Sequence, residues 1–206
     1  EADALGRVCR DQAELVQDAQ LFLEYAGEHG CASGPYRFPT DHTRFVYFRG
    51  PGRSHEHEAF DDTRCQVLVM SGLPGAGKDT WLQRNRPGLP VVSLDEIRRE
   101  LKVRPGDDQA PVAELARERA RTLLRAGTPF GWNATNLSRE QRGRCLDLLA
   151  DYRARIRVVY CEAPAEELER RNRERGFPAS AVERLLERWE VPDPCEAHEV
   201  VWETGA

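Results

Sequence analysis

Long hydrophobic runs are missing from this chain, and so are paired cysteines, internal repeats and nearly all lysine. No apolar stretch approaches the roughly 18 residues needed to cross a bilayer, so no membrane partner is expected. The six cysteines (Cys9, Cys31, Cys65, Cys145, Cys161, Cys195) stand far apart. With no C-x-x-C pair a zinc knuckle is not expected, and the thiols are expected to be mostly buried in a reducing cytoplasm. No segment reads as a signal peptide, but a chain that begins at Glu1 rather than methionine carries no weight on targeting. The only lysines are Lys78 and Lys102, and the other basic residues are arginines. A net charge of −5 argues against broad adhesion to nucleic acid while leaving room for a local basic groove.

What remains is ordinary for a globular protein. With 206 residues, 40% hydrophobic and 32% charged, the chain can bury one core and carry an appendage. Residues 11–28 place Leu15, Ala19, Phe22 and Ala26 at helical spacing, which predicts a helix with a half-buried face. Segments rich in Gly, Pro and charge follow as loop and linker, with "RFVYF" at 44–48 as a short strand between them.

From Cys65 the pattern changes. "CQVLVM" reads as a buried parallel strand, and "PVVS", "PFGWNA", "IRVVYC" and "HEVVWE" supply four more. Helices alternate with them. One covers 111–126 and is closed by Gly127; another opens at Ser138 with Gln141 as a capping box; Pro164 and Pro178 start two more. This alternation predicts an α/β fold, a parallel sheet flanked by helices with an arginine-bearing helical lid and a helical appendage at the N-terminus. The division is 1–64 for appendage and linker and 65–206 for the sheet domain. In such sheets ligands sit beyond the carboxyl ends of the strands, so chemistry is sought there.

After the first strand comes "GLPGAGKDT", Gly72 to Thr80. Gly72, Gly75, Ala76 and Gly77 let backbone N–H groups curl around phosphate oxygens, and Lys78 can bridge the β- and γ-phosphates. The usual pattern asks for a hydroxyl after the lysine. This chain has Asp79 there, and its hydroxyl comes one residue later, at Thr80. After the second strand, Asp95 is either a helix N-cap or a general base facing the γ-phosphate. Arg98, one turn on, either pairs with Asp95 or Glu96 or holds a phosphate of the acceptor. After the third strand, Thr135 and Asn136 either cap their loop or line the acceptor site. Arg171 and Arg175, at i and i+4, either pair with Glu167 and Glu174 or neutralise transition-state charge from a lid. Arg170 and Arg173 read as the solvated pair. His42, His55 and His57 point to no site, and Trp132 and Trp189 are expected in the core.

Taken in order, these motifs resemble the kinase module of 5′-hydroxyl polynucleotide kinases, phage and bacterial, over residues 65–200. The family's order is phosphate loop, D-[DE]-x-R, [DN]-x-T-N and P-x-x-E-L-x-x-R-N-x-x-R. Here these are GLPGAGKDT, Asp95-Glu-Ile-Arg98, Asn133-Ala-Thr-Asn136 and Pro164 through Arg175. The resemblance implies Lys78 on the phosphates, Asp95 as general base, Arg98 near the acceptor and Arg171 and Arg175 as lid arginines. It is nearest to a bacterial type in which this kinase follows an HD-family phosphohydrolase, so 1–64 would be the tail of that upstream region. The implied reaction moves the γ-phosphate of ATP or another NTP to the 5′-hydroxyl end of RNA or DNA, with Mg²⁺, as a step that readies ends for ligation. Two departures stand out: Asp79 replaces the hydroxyl, and Ala134 stands where the phage enzyme's third-strand motif carries an aspartate. The carboxylate is therefore expected to have moved, with Asp79 organising Mg²⁺ directly or through its waters. Thr80 is expected over the α-phosphate. The rival readings are a kinase of the same fold for a nucleoside, sugar or antibiotic, and a nucleotide-binding module without catalysis.

Overall fold

A computed structural model describes Gly6, residues 10–104 and residues 106–205. Cys9 lies outside the described residues. Five strands form one sheet: β1 (Cys65–Ser71), β2 (Val91–Ser93), β3 (Phe130–Asn133), β4 (Ala154–Glu162) and β5 (Glu199–Thr204). Their order is β2-β3-β1-β4-β5, and every neighbouring pair is parallel. Parallel neighbours need crossovers, and helices supply them. These are α3 (Lys78–Asn85), α4 (Leu94–Leu101), α5 (Ala110–Arg125), α6 (Arg139–Asp151), α7 (Ala165–Glu174) and α8 (Ala179–Leu186), preceded by α1 (Gln12–Glu28) and α2 (Asp41–Arg49). The expected parallel sheet flanked by helices is the one observed.

The apolar run of β1 serves both faces of the sheet. Val67 and Val69 join Ile156 and Val158 in one core with Val112, Ala116, Ala120 and Leu124 of α5 and Leu146 and Leu149 of α6. Leu68 and Met70 join Val159 and Cys161 in a second, under Ala76 and Leu82. The register sets Met70 opposite Asn133, Asn133 opposite Ser93 and Ser71 opposite Tyr160. Four strand ends thus share one rim.

Three expectations need correction. Residues 44–48 are helical, within α2, and not a strand. Thr40 caps that helix, its Oγ1 accepting from Thr43 N at 3.0 Å, and Phe45 is buried with its ring 4.0 Å from that of His198. Capping and tertiary burial outweigh the β-propensity of Phe, Val and Tyr. Residues 41–64 lie against the sheet, with Arg44 donating to His198 O (2.7 Å) and Arg155 to Asp61 (2.9 Å). In α1 the helix forms, but Phe22 is 68% exposed and Ala26 is its buried residue. Trp132 is in the core as expected, whereas Trp189 is 37% exposed because α8, just before it, buries none of its side chains.

Candidate active site

The loop between β1 and α3 is shaped by its neighbours. Gly72 has φ +141, and a Cβ there would stand 2.3 Å from the Cys161 carbonyl oxygen. No side chain fits between this turn and the end of β4. Gly72 N donates to Thr135 O at 2.9 Å, joining the loop to the one after β3. Gly77, just before Lys78, occupies the N-cap of α3. Lys78 Nζ curls back to donate to Gly72 O (2.8 Å) and Leu73 O (2.9 Å).

Burial drives the Lys78 ammonium down from 10.5 to about 8, with Asp79, Cys161 and Asp95 opposing the shift and Arg175 adding to it. Groups from four stretches of the chain therefore lie within electrostatic reach of one ammonium.

Asp79 lies in the exposed first turn of α3, with Thr80 beside it. Its Oδ1 accepts from Asn133 Nδ2 at 2.5 Å. Asn133 was not expected in the site. It is buried at the end of β3, one strand over from β1, and its amide fixes how the carboxylate points. Among the described residues no cluster of three or more metal-ligating side chains exists. Mg²⁺ does not need one, because it binds through one or two carboxylates together with substrate phosphates and keeps its waters. Asp79 fits that demand.

Asp95 is not a helix cap. Ser93 caps α4, its Oγ accepting from Glu96 N at 3.3 Å. The Asp95 carboxylate is free of that duty and its side chain is 84% exposed. Arg98 pairs with it and also donates from Nε to Gln109 Oε1 at 2.8 Å. Gln109 in turn donates to Arg104 O and Asp107 O, so the loop before α5 aims the guanidinium.

Thr135 is half-buried beside the phosphate loop. Asn136 is turned inward: at φ 46 and buried, it donates from Nδ2 to Met70 O at 2.8 Å and fastens its loop to β1. On α7, Arg171 donates to Gly75 O (2.9 Å) and to Glu167 (2.7 Å). Arg170 pairs with Glu167 and Glu174 on the solvated side, and the two guanidinium groups hold the Glu167 carboxyl well below its ordinary range. Arg175 ends the helix, exposed and within reach of Lys78.

A five-stranded parallel sheet of this order, with a glycine-rich loop running into a helix and a lid helix after β4, is the fold of P-loop kinases. The chain belongs to the family described as AAA domain, matched over residues 67–192. Solved structures agree on the fold. A putative kinase from Chloroflexus aurantiacus superposes with a TM-score of 0.56 at 17% identity, covering 69% of this chain and 89% of that one. The Mycobacterium tuberculosis APS kinase, solved with AMPPNP and APS, gives 0.50 at 22% identity, covering 68% and 89%. A Pnkp1/Rnl/Hen1 complex gives 0.48 at 21% identity over 55% of this chain and 41% of that one, too distant a superposition to argue from. Among the described residues no helix is long and apolar enough to cross a membrane.

Proposed function

We propose that the chain moves the γ-phosphoryl group of a nucleoside triphosphate onto the 5′-hydroxyl end of an RNA or DNA strand. The observation that carries this reading is Asp95: an exposed carboxylate on the strand rim, near enough for its charge to favour the Lys78 ammonium, and paired with an oriented Arg98. Its motif order, with Arg98 as a cation for an acceptor phosphate, favours a strand terminus over a neutral metabolite. A few arginines around the site suit an end held by few phosphates, not a long duplex footprint.

In this reading the loop N–H groups and Lys78 hold the triphosphate, and Asp79 would hold Mg²⁺, which supplies charge neutralisation on the phosphates. Asp95 accepts the hydroxyl proton as the oxygen–γ-phosphorus bond forms and the bond to the bridging oxygen breaks. Arg171 and Arg175 face the charge that develops. Thr135 sits where the acceptor enters.

The test is γ-labelled ATP, Mg²⁺ and matched oligonucleotides ending in 5′-hydroxyl or 5′-phosphate. Label on the hydroxyl strand alone supports the reading. Label on adenosine or a sugar instead would replace it with a small-molecule kinase, and binding without any product would leave a non-catalytic module.

Two predictions follow from the same site. Asp79→Ala, which leaves no oxygen ligand at that position, should raise the Mg²⁺ concentration needed for half-maximal rate by about tenfold, read by metal titration. An unchanged Mg²⁺ dependence would remove Asp79 from metal handling. The second concerns pH. Lys78 loses its charge near pH 8 in the free protein, and a polyanion favours the charged form, so triphosphate binding should take up protons and weaken as pH rises through about 8. Calorimetry in two buffers of different ionisation heat, about half a unit above that pH, checks the proton uptake; an affinity that stays flat from about one unit below pH 8 to about one unit above it would refute it.

A further inference from the structure

We infer that Asn172 is a positioning residue for the phosphate loop, gripping the Pro74 carbonyl so that the Gly75 N–H faces the bound anion. This rests on the loop's being a triphosphate cradle and not on the identity of the acceptor.

Asn172 is the buried residue of α7, 4% exposed on a helix otherwise rich in glutamate and arginine. A buried amide needs partners, and Nδ2 donates to Pro74 O at 3.0 Å. The preceding residue, Arg171, donates to the next carbonyl along the loop, Gly75 O, at 2.9 Å. Two consecutive lid residues thus hold two consecutive loop carbonyls.

Peptide geometry turns that grip into orientation. The chain has no cis peptide bonds among the described residues, so each C=O points opposite the N–H of the same plane. Holding Pro74 O toward Asn172 aims the Gly75 N–H to the far face of the loop. Holding Gly75 O does the same for the Ala76 N–H, which already donates to Leu73 O at 3.1 Å. The Gly75 N–H is the donor that Asn172 points.

Gly75 and Asn172 fit as a pair. Gly75 has φ +83, and a Cβ there would meet Asn172 Nδ2 at 3.3 Å and Oδ1 at 3.4 Å. The amide lies directly over the glycine. Its orientation is set by the acceptor it meets, because a flipped amide would face oxygen with oxygen. Oδ1 is then left buried with no hydrogen-bond partner. An unmet acceptor costs stability, so an apolar side chain of the same shape would serve the helix better. What the amide provides in return is its contact with the loop.

The experiment measures binding of a non-hydrolysable ATP analogue with Mg²⁺, without acceptor, to wild type, Asn172→Leu and Asn172→Asp, alongside thermal melting. Leu keeps the shape and removes the unmet acceptor; Asp keeps the shape and removes the N–H donor. Both should bind the analogue about tenfold more weakly, with melting used to confirm that each variant is folded at the assay temperature. A Leu or Asp variant that binds within about twofold of wild type overturns the inference. Wild type that fails to bind the analogue overturns the cradle as well, whereas wild type that binds it but leaves 5′-hydroxyl strands unlabelled overturns only the acceptor assignment.

Discussion

Asp95→Asn should lower the rate of phosphoryl transfer by about 10²–10⁴-fold while leaving triphosphate affinity within about twofold. The expectation rests on where the carboxylate stands. Ser93, not Asp95, caps α4, so the substitution does not unpick the helix. The side chain is mostly exposed, and its ion pair with Arg98 is of the surface kind, worth about 0–1 kcal/mol. Melting should therefore barely move. In the proposed reaction what is lost is the proton acceptor, which acts in the transition state and contributes nothing to ground-state donor binding. Single-turnover transfer at saturating donor and acceptor separates the two. Arg98→Ala is the useful companion: it should raise the acceptor KM more than it lowers kcat, because a cation that holds an acceptor phosphate binds ground state and transition state alike. A drop in rate below about tenfold for Asp95→Asn would remove the residue from proton transfer, and a collapse in donor affinity would show it to be part of the cradle instead.

How far these placements were legible in the sequence depends on how far apart the partners lie. The fold was legible because it is written locally: the apolar run of β1, the glycines before Lys78 and the alternation of strand and helix each sit within a short window. The segment 44–48 reads as a strand because four β-prone residues lie together, and the forces that make it helical come from Thr40 before it and from His198, far along the chain. The rim was partly legible. Lys78, Asp79 and Asp95 each follow a strand, and the parallel register brings those ends together. Asn133 belongs to a legible motif, but its pairing with Asp79 is not legible, because that contact spans 54 residues and depends on β3 lying beside β1. Asn136 carries the opposite lesson: the residue type suits an acceptor pocket, but a backbone at φ 46 turns its amide toward Met70. Trp189 shows that an aromatic in sequence does not announce its burial when the neighbouring helix buries nothing.

The least legible feature carries the largest stability prediction. Arg142 is fully buried, and its guanidinium meets Glu196 in a two-pronged contact, Nε to Oε2 at 2.7 Å and Nη2 to Oε1 at 2.8 Å. Nη1 donates to three carbonyls, Asn136 O (3.2 Å), Leu137 O (2.9 Å) and Glu190 O (2.7 Å). One side chain on α6 therefore ties the loop after β3 to the segment that leads into β5. Glu196→Ala would leave that cation buried without its anion, at a cost of about 3–5 kcal/mol. At about 2–4 °C per kcal/mol for a chain of this size, melting should fall by roughly 10 °C. The fully apolar replacement separates charge from contact. Arg142→Met with Glu196→Ala removes the stranded charge, so the double variant should be more stable than Glu196→Ala alone, yet it should not regain wild type: Glu190 O loses the guanidinium, and Asn136 O and Leu137 O keep only Ser71 Oγ and Glu190 N–H as donors. The same loss loosens residues 136–137 beside the phosphate loop, whose Gly72 N–H is held by Thr135 O. Transfer activity should accordingly fall in the double variant even at temperatures where it is fully folded. A double variant with wild-type activity would show that the loop keeps its shape without Arg142, and a loss under about 1 kcal/mol for Glu196→Ala would show that water reaches the guanidinium when the carboxylate is gone.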